Sequence, residues 1–383
     1  MHLLPHLTFS YSSYIVLNGN RHTLASTIAE QVGVTQVEPG KDEFTSTSLP
    51  IRMGNALPIA YGGCAMSVAV HAAARTVPET HKLYSVVGHF HGPATLDRPF
   101  KCSVTRTRDT RSFATRRVRV SQLQPQRQQK PNTTTTTTTI ATDTSSSSDQ
   151  SPPLQERVCL ELIADFHAVE EALITFSPPP NRPYGPPDGS PTSRELQEEL
   201  RRAGRIDGHG NGDGPSNEFT TMFDAMDRLF EMRFCREGMS GQNMGWARHV
   251  PTDQDALPLT ARSSAEWYRV RPDADPKPQT HAENCAAVAF LMDGGLAFLP
   301  LVHTHRGFAD AGATSSLDFA LRFFTPDVDM SRWHLKDRAA HAAGAGRSYA
   351  EGRLFDDQGR LVASMTQQGI LRPPPKRKDK AVL

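Results

Sequence analysis

No stretch of the chain comes near the roughly 18 consecutive apolar residues that a membrane-spanning helix needs, so no membrane span is expected. Neither sign of charge dominates, with 42 Lys and Arg against 41 Asp and Glu. That balance removes any global electrostatic case for binding nucleic acid or an anionic membrane surface. The five cysteines, at 64, 102, 159, 235 and 285, have neither paired nor metal-ligand spacing, and most sit in apolar surroundings. They read as buried free thiols in a reducing compartment. The N-terminal MHLLPHLTFSYSSYIVL is broken by Pro5 and by polar residues, and no basic segment precedes a clean apolar core. A secretory signal is therefore not expected, and a soluble intracellular protein is.

Metal-binding patterns are also lacking. His89 and His91, and His303 and His305, have the alternate spacing that would put each pair on one strand face. Zinc needs three or four ligands, and no Cys or acid completes either set. Asp207, His209, Asn211, Gly212 and Glu218 loosely follow a calcium loop. Histidine at its third position and Gly214 where an apolar residue is usual argue for plain linker. No metal and no cofactor are expected.

What is present falls into two similar blocks separated by low-complexity sequence. The chain is long enough for two domains, each with its own core. In the first block Gly62 and Gly63 precede a small-residue helix, CAMSVAVHAAARTV. Alternation predicts strands at about 83–92, 99–109, 112–121 and 157–167. A Gln-, Thr- and Ser-rich insert at 122–156, containing the run Thr133 to Thr139, reads as an enlarged hairpin loop. Residues 177–225, rich in Pro and Gly, read as a disordered linker. A short helix can interrupt it, because Thr192 and Glu195 have capping-box spacing. The second block repeats the plan: a helix, THAENCAAVAFLMDGG, then strands near 297–302, 315–324, 333–342, 347–357 and 361–371. Helices apolar on every face must be buried, and a sheet wrapped around each is the simplest cover. The organisation expected is an extension at 1–24, a first domain at 25–176, the linker, a second domain at 226–373 and a basic tail at 374–383.

The richest segment is Ser315 to Arg372. Asp318 sits within an apolar alternating run, and Gln367, Gln368 and Gly369 close another. Polar groups inside core-like strands must be satisfied or used, which makes them candidates for chemistry.

At these residues the chain resembles the type II (TesB-like) acyl-CoA thioesterases. The matching pieces are YGGCAMSVAVHAAARTVP, LYSVVGHFHGPA and VTRTRDTRSFATRRVRV, then ENCAAVAFLMDGGLAFLP, SLDFALRFF and RSYAEGRLFDDQGRLVASMTQQGILR, covering about 25–121, 157–167 and 229–373. The resemblance implies an α+β tandem (double) hotdog, each half an antiparallel sheet around a central helix. It implies hydrolysis of fatty acyl-CoA to free fatty acid and CoA by an Asp, a Ser or Thr, and a Gln of the second hotdog. By position Asp318 matches the Asp and Gln367 the Gln, with Gln368 in reserve if the register slips by one. The hydroxyl is expected in the strand after Trp333, where this chain has Ala339, Ala340, His341 and Ala342. His341 is either its stand-in or a solvated strand residue.

On this reading a carboxylate takes a proton from the attacking water, an amide positions that water, and helix-start N–H groups receive the oxyanion. Gly62, Gly63 and Cys64 are the candidates for the last task. Arg116 and Arg117 are candidates for CoA phosphates or, more simply, solubilising residues of an exposed strand face. Two alternatives remain: a biosynthetic thioesterase or acyltransferase acting on carrier-bound chains, and a non-catalytic acyl-CoA-binding relative. The expected partner is acyl-CoA, with a homo-oligomer by analogy with paired hotdogs. A cytoplasmic or peroxisomal location is expected, although the final Ala-Val-Leu matches the Ser-Lys-Leu peroxisomal type badly.

Overall fold

The computed structural model describes residues 14–17, 20–53, 57–126, 153–206, 224–272 and 279–375. Five helices matter to the argument: α1 (Ile28–Val32), α2 (Gly62–Ala74), α3 (Ser193–Arg202), α4 (His281–Met292) and α5 (Leu299–His303). Capping boxes start three of them, with Thr27 and Glu30 at α1, Thr192 and Glu195 at α3, and Thr280 and Glu283 at α4. Each pairs two otherwise orphaned N–H groups, which is why these chain positions become helix starts.

α2 and α4 form the core. Every residue of α2 from Gly63 to Ala73 is buried, as is every residue of α4 from Asn284 to Met292. Neither helix has a polar face, so each needs cover all round. A small hairpin, β1 (Tyr14–Leu17) with β2 (Asn20–Thr23), stands apart. The cover comes from one 12-stranded sheet. In the first half it uses β3 (Val34–Gln36), β4 (Glu43–Ser46), β5 (His81–Phe90), β6 (Lys101–Asp109), β7 (Phe113–Pro125) and β8 (Leu154–Ala168). In the second it uses β9 (Phe230–Phe234), β10 (Ser263–Val270), β11 (Ala313–Phe323), β12 (His334–Gly344), β13 (Arg347–Asp356) and β14 (Leu361–Arg372).

The spatial order is β3-β4-β6-β7-β8-β5-β11-β14-β13-β12-β10-β9. Neither half is the plain meander that strand succession suggests. β5 turns back to pair with β8, β11 pairs with β14, and β5 and β11 then pair with each other. That last pairing, Ser85 to His89 against Arg322 to Asp318, fuses two wrapped helices into one body. The tandem hotdog is thus present, with its two sheets continuous.

Three expectations change. Residues 297–302 are not a strand: Pro300 lies in the first turn of α5, where its missing N–H costs nothing. Residues 177–206 of the expected linker are held in place rather than disordered. Asn181 and Tyr184 donate to the buried Asp337 carboxylate at 2.7 Å (backbone N–H) and 2.9 Å (hydroxyl), and Trp267 donates its indole N–H to the Gly185 carbonyl at 2.9 Å. Arg116 is buried in the core, donating to Thr76 and Asp109, so it neither meets phosphates nor solubilises a surface. Arg117 pairs with Glu161. The Thr run, the calcium-like spacing and the basic tail lie outside the described residues, apart from the first two prolines of the tail, Pro374 and Pro375.

The two halves meet at Phe290 of α4, which is fully buried, stacks edge-on against Tyr61 with ring centroids 5.1 Å apart, and also stacks against Phe230. Phe290→Ala is expected to cost about 3–5 kcal/mol in denaturant unfolding, by lost burial plus a cavity. Leu173→Ala, at a side chain 98% exposed, is expected to change stability by no more than about 0.5 kcal/mol.

Candidate active site

α4 ends against the beginning of α2, and Asp293 occupies the junction. It is the C-cap of α4 and only 6% exposed. Its Oδ1 accepts from Gln367 Nε2 at 2.7 Å and from Ser316 Oγ at 3.5 Å, and the backbone N–H of Gly63 also donates to the carboxylate. The negative charge lies at the unfavourable end of its own helix and at the favourable, N-terminal end of α2. Two glycines permit this approach. A Cβ on Gly62 would lie 2.8 Å from Asp293 Oδ2, and one on Gly63 would lie 2.6 Å from the Phe290 carbonyl oxygen. Tyr61, the N-cap of α2, fastens the same junction by donating to that carbonyl at 2.6 Å.

Lys336 offsets the mismatch at the end of α4. Its buried ammonium donates to the carbonyls of Leu291 at 2.6 Å and Gly294 at 2.7 Å, on either side of Asp293 at the end of the helix. Burial pushes Lys336 down to about 7, with Arg338 acting the same way and Glu266 and Asp293 opposing. Burial likewise pushes the Asp293 carboxyl up, while the Gln367 amide and Lys336 pull it back. Arg338 donates to Glu266 in a largely buried ion pair, and Ser240 Oγ adds a bond to Glu266 at 2.6 Å.

These groups line one wall of a cavity of about 710 Å³. Asp293, Gly62, Ser316 and Lys336 face it, and much of the rest is apolar, including Met53, Phe90, Met232, Phe234, Phe298 and Ile370. A largely apolar chamber with a few convergent polar groups is the usual form of a small-molecule site.

The residues singled out from sequence fare differently. Gln367 is in the site, 2% exposed, on the core face of β14. Its Oε1 is buried without a partner among the described residues. Asp318 is not in the site. It pairs in register with Gln368, whereas Gln367 pairs with Phe319, so Asp318 and Gln367 point to opposite faces of the sheet. A β-bulge at Leu317 causes this. It resets the alternation so that Ser316 faces inward and Asp318 outward. His341 is the extra residue of another bulge, exposed, 3.3 Å from Glu351, and outside the cavity.

Of the expected oxyanion donors, Gly63 gives its N–H to Asp293 and Cys64 gives its N–H to the Tyr61 carbonyl at 3.1 Å. Burial pushes the Cys64 thiol up to about 12, so it is inert. The N–H of Gly62, facing the cavity, has no partner among the described residues. Sequence reasoning missed Asp293, Ser316 and Lys336. Asp293 lies in Asp-Gly-Gly after an apolar helix, which reads as an ordinary helix stop.

A family model described as the acyl-CoA thioesterase C-terminal domain matches residues 222–371, and one described as the N-terminal domain matches 49–142. The chain belongs to the acyl-CoA thioesterase family. Among relatives of this family, "Acyl-CoA thioesterase 2" of Haemophilus influenzae is 33% identical over 76 residues, 19% of this chain and 26% of that protein, so the match spans about a quarter of its length. Acyl-CoA thioesterase II TesB2 from Mycobacterium marinum superposes with a TM-score of 0.59 at 22% identity, covering 91% of this chain and 99% of that one. A hot dog fold protein of unknown function from Alicyclobacillus acidocaldarius gives 0.55 at 15% identity, covering 91% and 98%. At such identities the superpositions speak for the fold. Among the described residues, no helix of this family member is long and apolar enough to cross a membrane.

The Lys336 environment has a measurable consequence. Between pH about 7 and its ordinary value of 10.5, the unfolded chain holds a proton that the folded protein gives up. Wild-type stability relative to Lys336→Met should therefore rise across that interval and be flat below it. Denaturant melts of both proteins across pH test this, and a pH-independent difference would refute it.

Proposed function

We propose that the protein is an acyl-CoA thioesterase in which Asp293, rather than Asp318, activates water for direct attack on the thioester. The supporting observation is the buried carboxylate held between two helix ends, bonded to the Gln367 amide behind it, with the Ser316 hydroxyl and Gly62 beside it on the same cavity wall. Asp293 is the base. Gln367 fixes its orientation through Nε2, and the unpartnered Gln367 Oε1 is a ready acceptor for one proton of the attacking water. Ser316 Oγ supplies the hydroxyl that sequence reasoning sought beyond Trp333.

The chemistry closes without a covalent intermediate. Water bonds to the thioester carbonyl carbon as Asp293 takes a proton from it, and negative charge develops on the carbonyl oxygen. The Gly62 N–H at the start of α2 is placed to receive that oxygen. The tetrahedral adduct then expels the CoA thiolate, which leaves with the proton held by Asp293. The products are a fatty acid and CoA. Positioning water beside a fixed carboxylate contributes much of such an acceleration, and the Lys336 ammonium helps keep the carboxylate ionised.

A thiol-release assay with purified protein and medium or long acyl-CoA separates the two acids. Asp293→Asn should lower kcat by about 10²- to 10⁴-fold, the range for loss of a general base. Asp318→Asn should remain near wild type. The reverse order of effects would return the role to Asp318, and no thiol release by wild type from any acyl-CoA would refute the hydrolase reading.

A further inference from the structure

The catalytic cavity accounts for the acyl chain and the reacting carbonyl but leaves the CoA handle unplaced. Beside it lies a second cleft of about 420 Å³, and the two share Leu301, Arg306 and Ala311 in their walls. The cleft therefore adjoins the chamber where the thioester would lie. Much of its wall is apolar, with Leu259, Pro300, Ala342, Leu371 and Pro373 among the lining residues. Its polar rim carries the cations Arg306 and Arg372, with His341 beside them.

The one acid in the lining, Asp310, is already engaged. Its carboxylate accepts from Arg248 at 3.0 Å and from the Gly307 N–H at 2.8 Å. The Arg306 and Arg372 side chains are exposed, and Arg306 acts on the Asp310 carboxylate only through its charge, while neither arginine is in a salt bridge among the described residues. The strand register sets the spacing. Ser316 stands opposite Gly369, and three residues further along β11 Ala313 stands opposite Arg372. At about 3.4 Å per strand residue, Arg372 lies roughly 10 Å along the sheet from the reacting groups. An extended pantetheine arm spans more than that.

The geometry points to this cleft as the site for the CoA handle. The pantetheine arm lies along the apolar wall, and the phosphate-bearing end meets Arg306 and Arg372. Guanidinium groups suit phosphates because their planar forks donate two parallel hydrogen bonds, and a cation outside any salt bridge has no such bond to break. This assignment rests on the thioesterase reading for its ligand. It places His341 at the rim where the leaving group passes, away from the carbonyl.

The test uses the full chain and free CoA, so it needs no turnover. CoA is titrated calorimetrically into wild type, Arg306→Ala/Arg372→Ala and Arg306→Lys/Arg372→Lys, with pantetheine, which lacks the phosphates, in parallel. The expected result is a Kd for CoA raised at least about ten-fold in the double alanine variant, partial recovery with lysine, and no response for pantetheine. Added salt should weaken CoA binding to wild type more than to the alanine variant. Equal CoA affinity in wild type and the alanine variant would overturn the assignment, as would an equal loss of pantetheine. Neither result bears on whether Asp293 hydrolyses thioesters, so failure here is distinct from failure of the catalytic reading.

Discussion

The meeting of two helix ends is the constraint on which the rest of the structure depends. The N-terminus of α2 abuts the C-terminus of α4, and the Asp293 carboxylate lies between them, bonded to Gly63 of one half and to Gln367 and Ser316 of the other. A carboxylate in that position is disfavoured by its own helix and by burial, and favoured by the facing helix. The compensations are all nearby: Lys336 on the flanking carbonyls, Gly62 and Gly63 leaving room, and Tyr61 tying the ends together. Because the bonds come from both halves, the site exists only when β5 and β11 join the two wrapped helices.

The chamber combines an apolar wall with a small set of buried charges. Glu266 and Arg338 pair with each other, and Lys336 donates to backbone carbonyls. Such charges are tolerated in a core only when they have partners, and here the Lys336 charge acts on Asp293. The cleft beside the chamber is arranged differently, with its cations exposed and its one lining acid, Asp310, engaged by Arg248 and the Gly307 N–H. An apolar chain and a charged handle are the two ends of one substrate class, and the two spaces divide along the same line.

Much of the fold was legible in the sequence. The two apolar helices, the strands at β5 to β8 and β11 to β14, and the cap at Thr192 follow from periodicity and capping chemistry, all of them local signals. β10 was missed because SSAEWYRV is buried on both faces and shows no alternation. The run that forms α5 reads as a strand because a short apolar run does not distinguish the two. Gln367 was legible because an amide on a core face stands out. Asp318 faces away from Gln367 because the bulge at Leu317 inverts which residues face inward, and nothing in a single sequence marks that extra residue. Asp293 was hidden because Asp before two glycines is what any helix end can carry, and its meaning appears only when a second helix start is brought against it.

The pH dependence of kcat/KM for acyl-CoA hydrolysis, measured on wild type and His341→Ala, tests the central claim most directly. The account predicts an acid limb displaced above the ordinary aspartate value of 3.8, as burial of Asp293 requires, and unchanged when His341 is removed. A limb at or below 3.8, or one that disappears with His341, would contradict it.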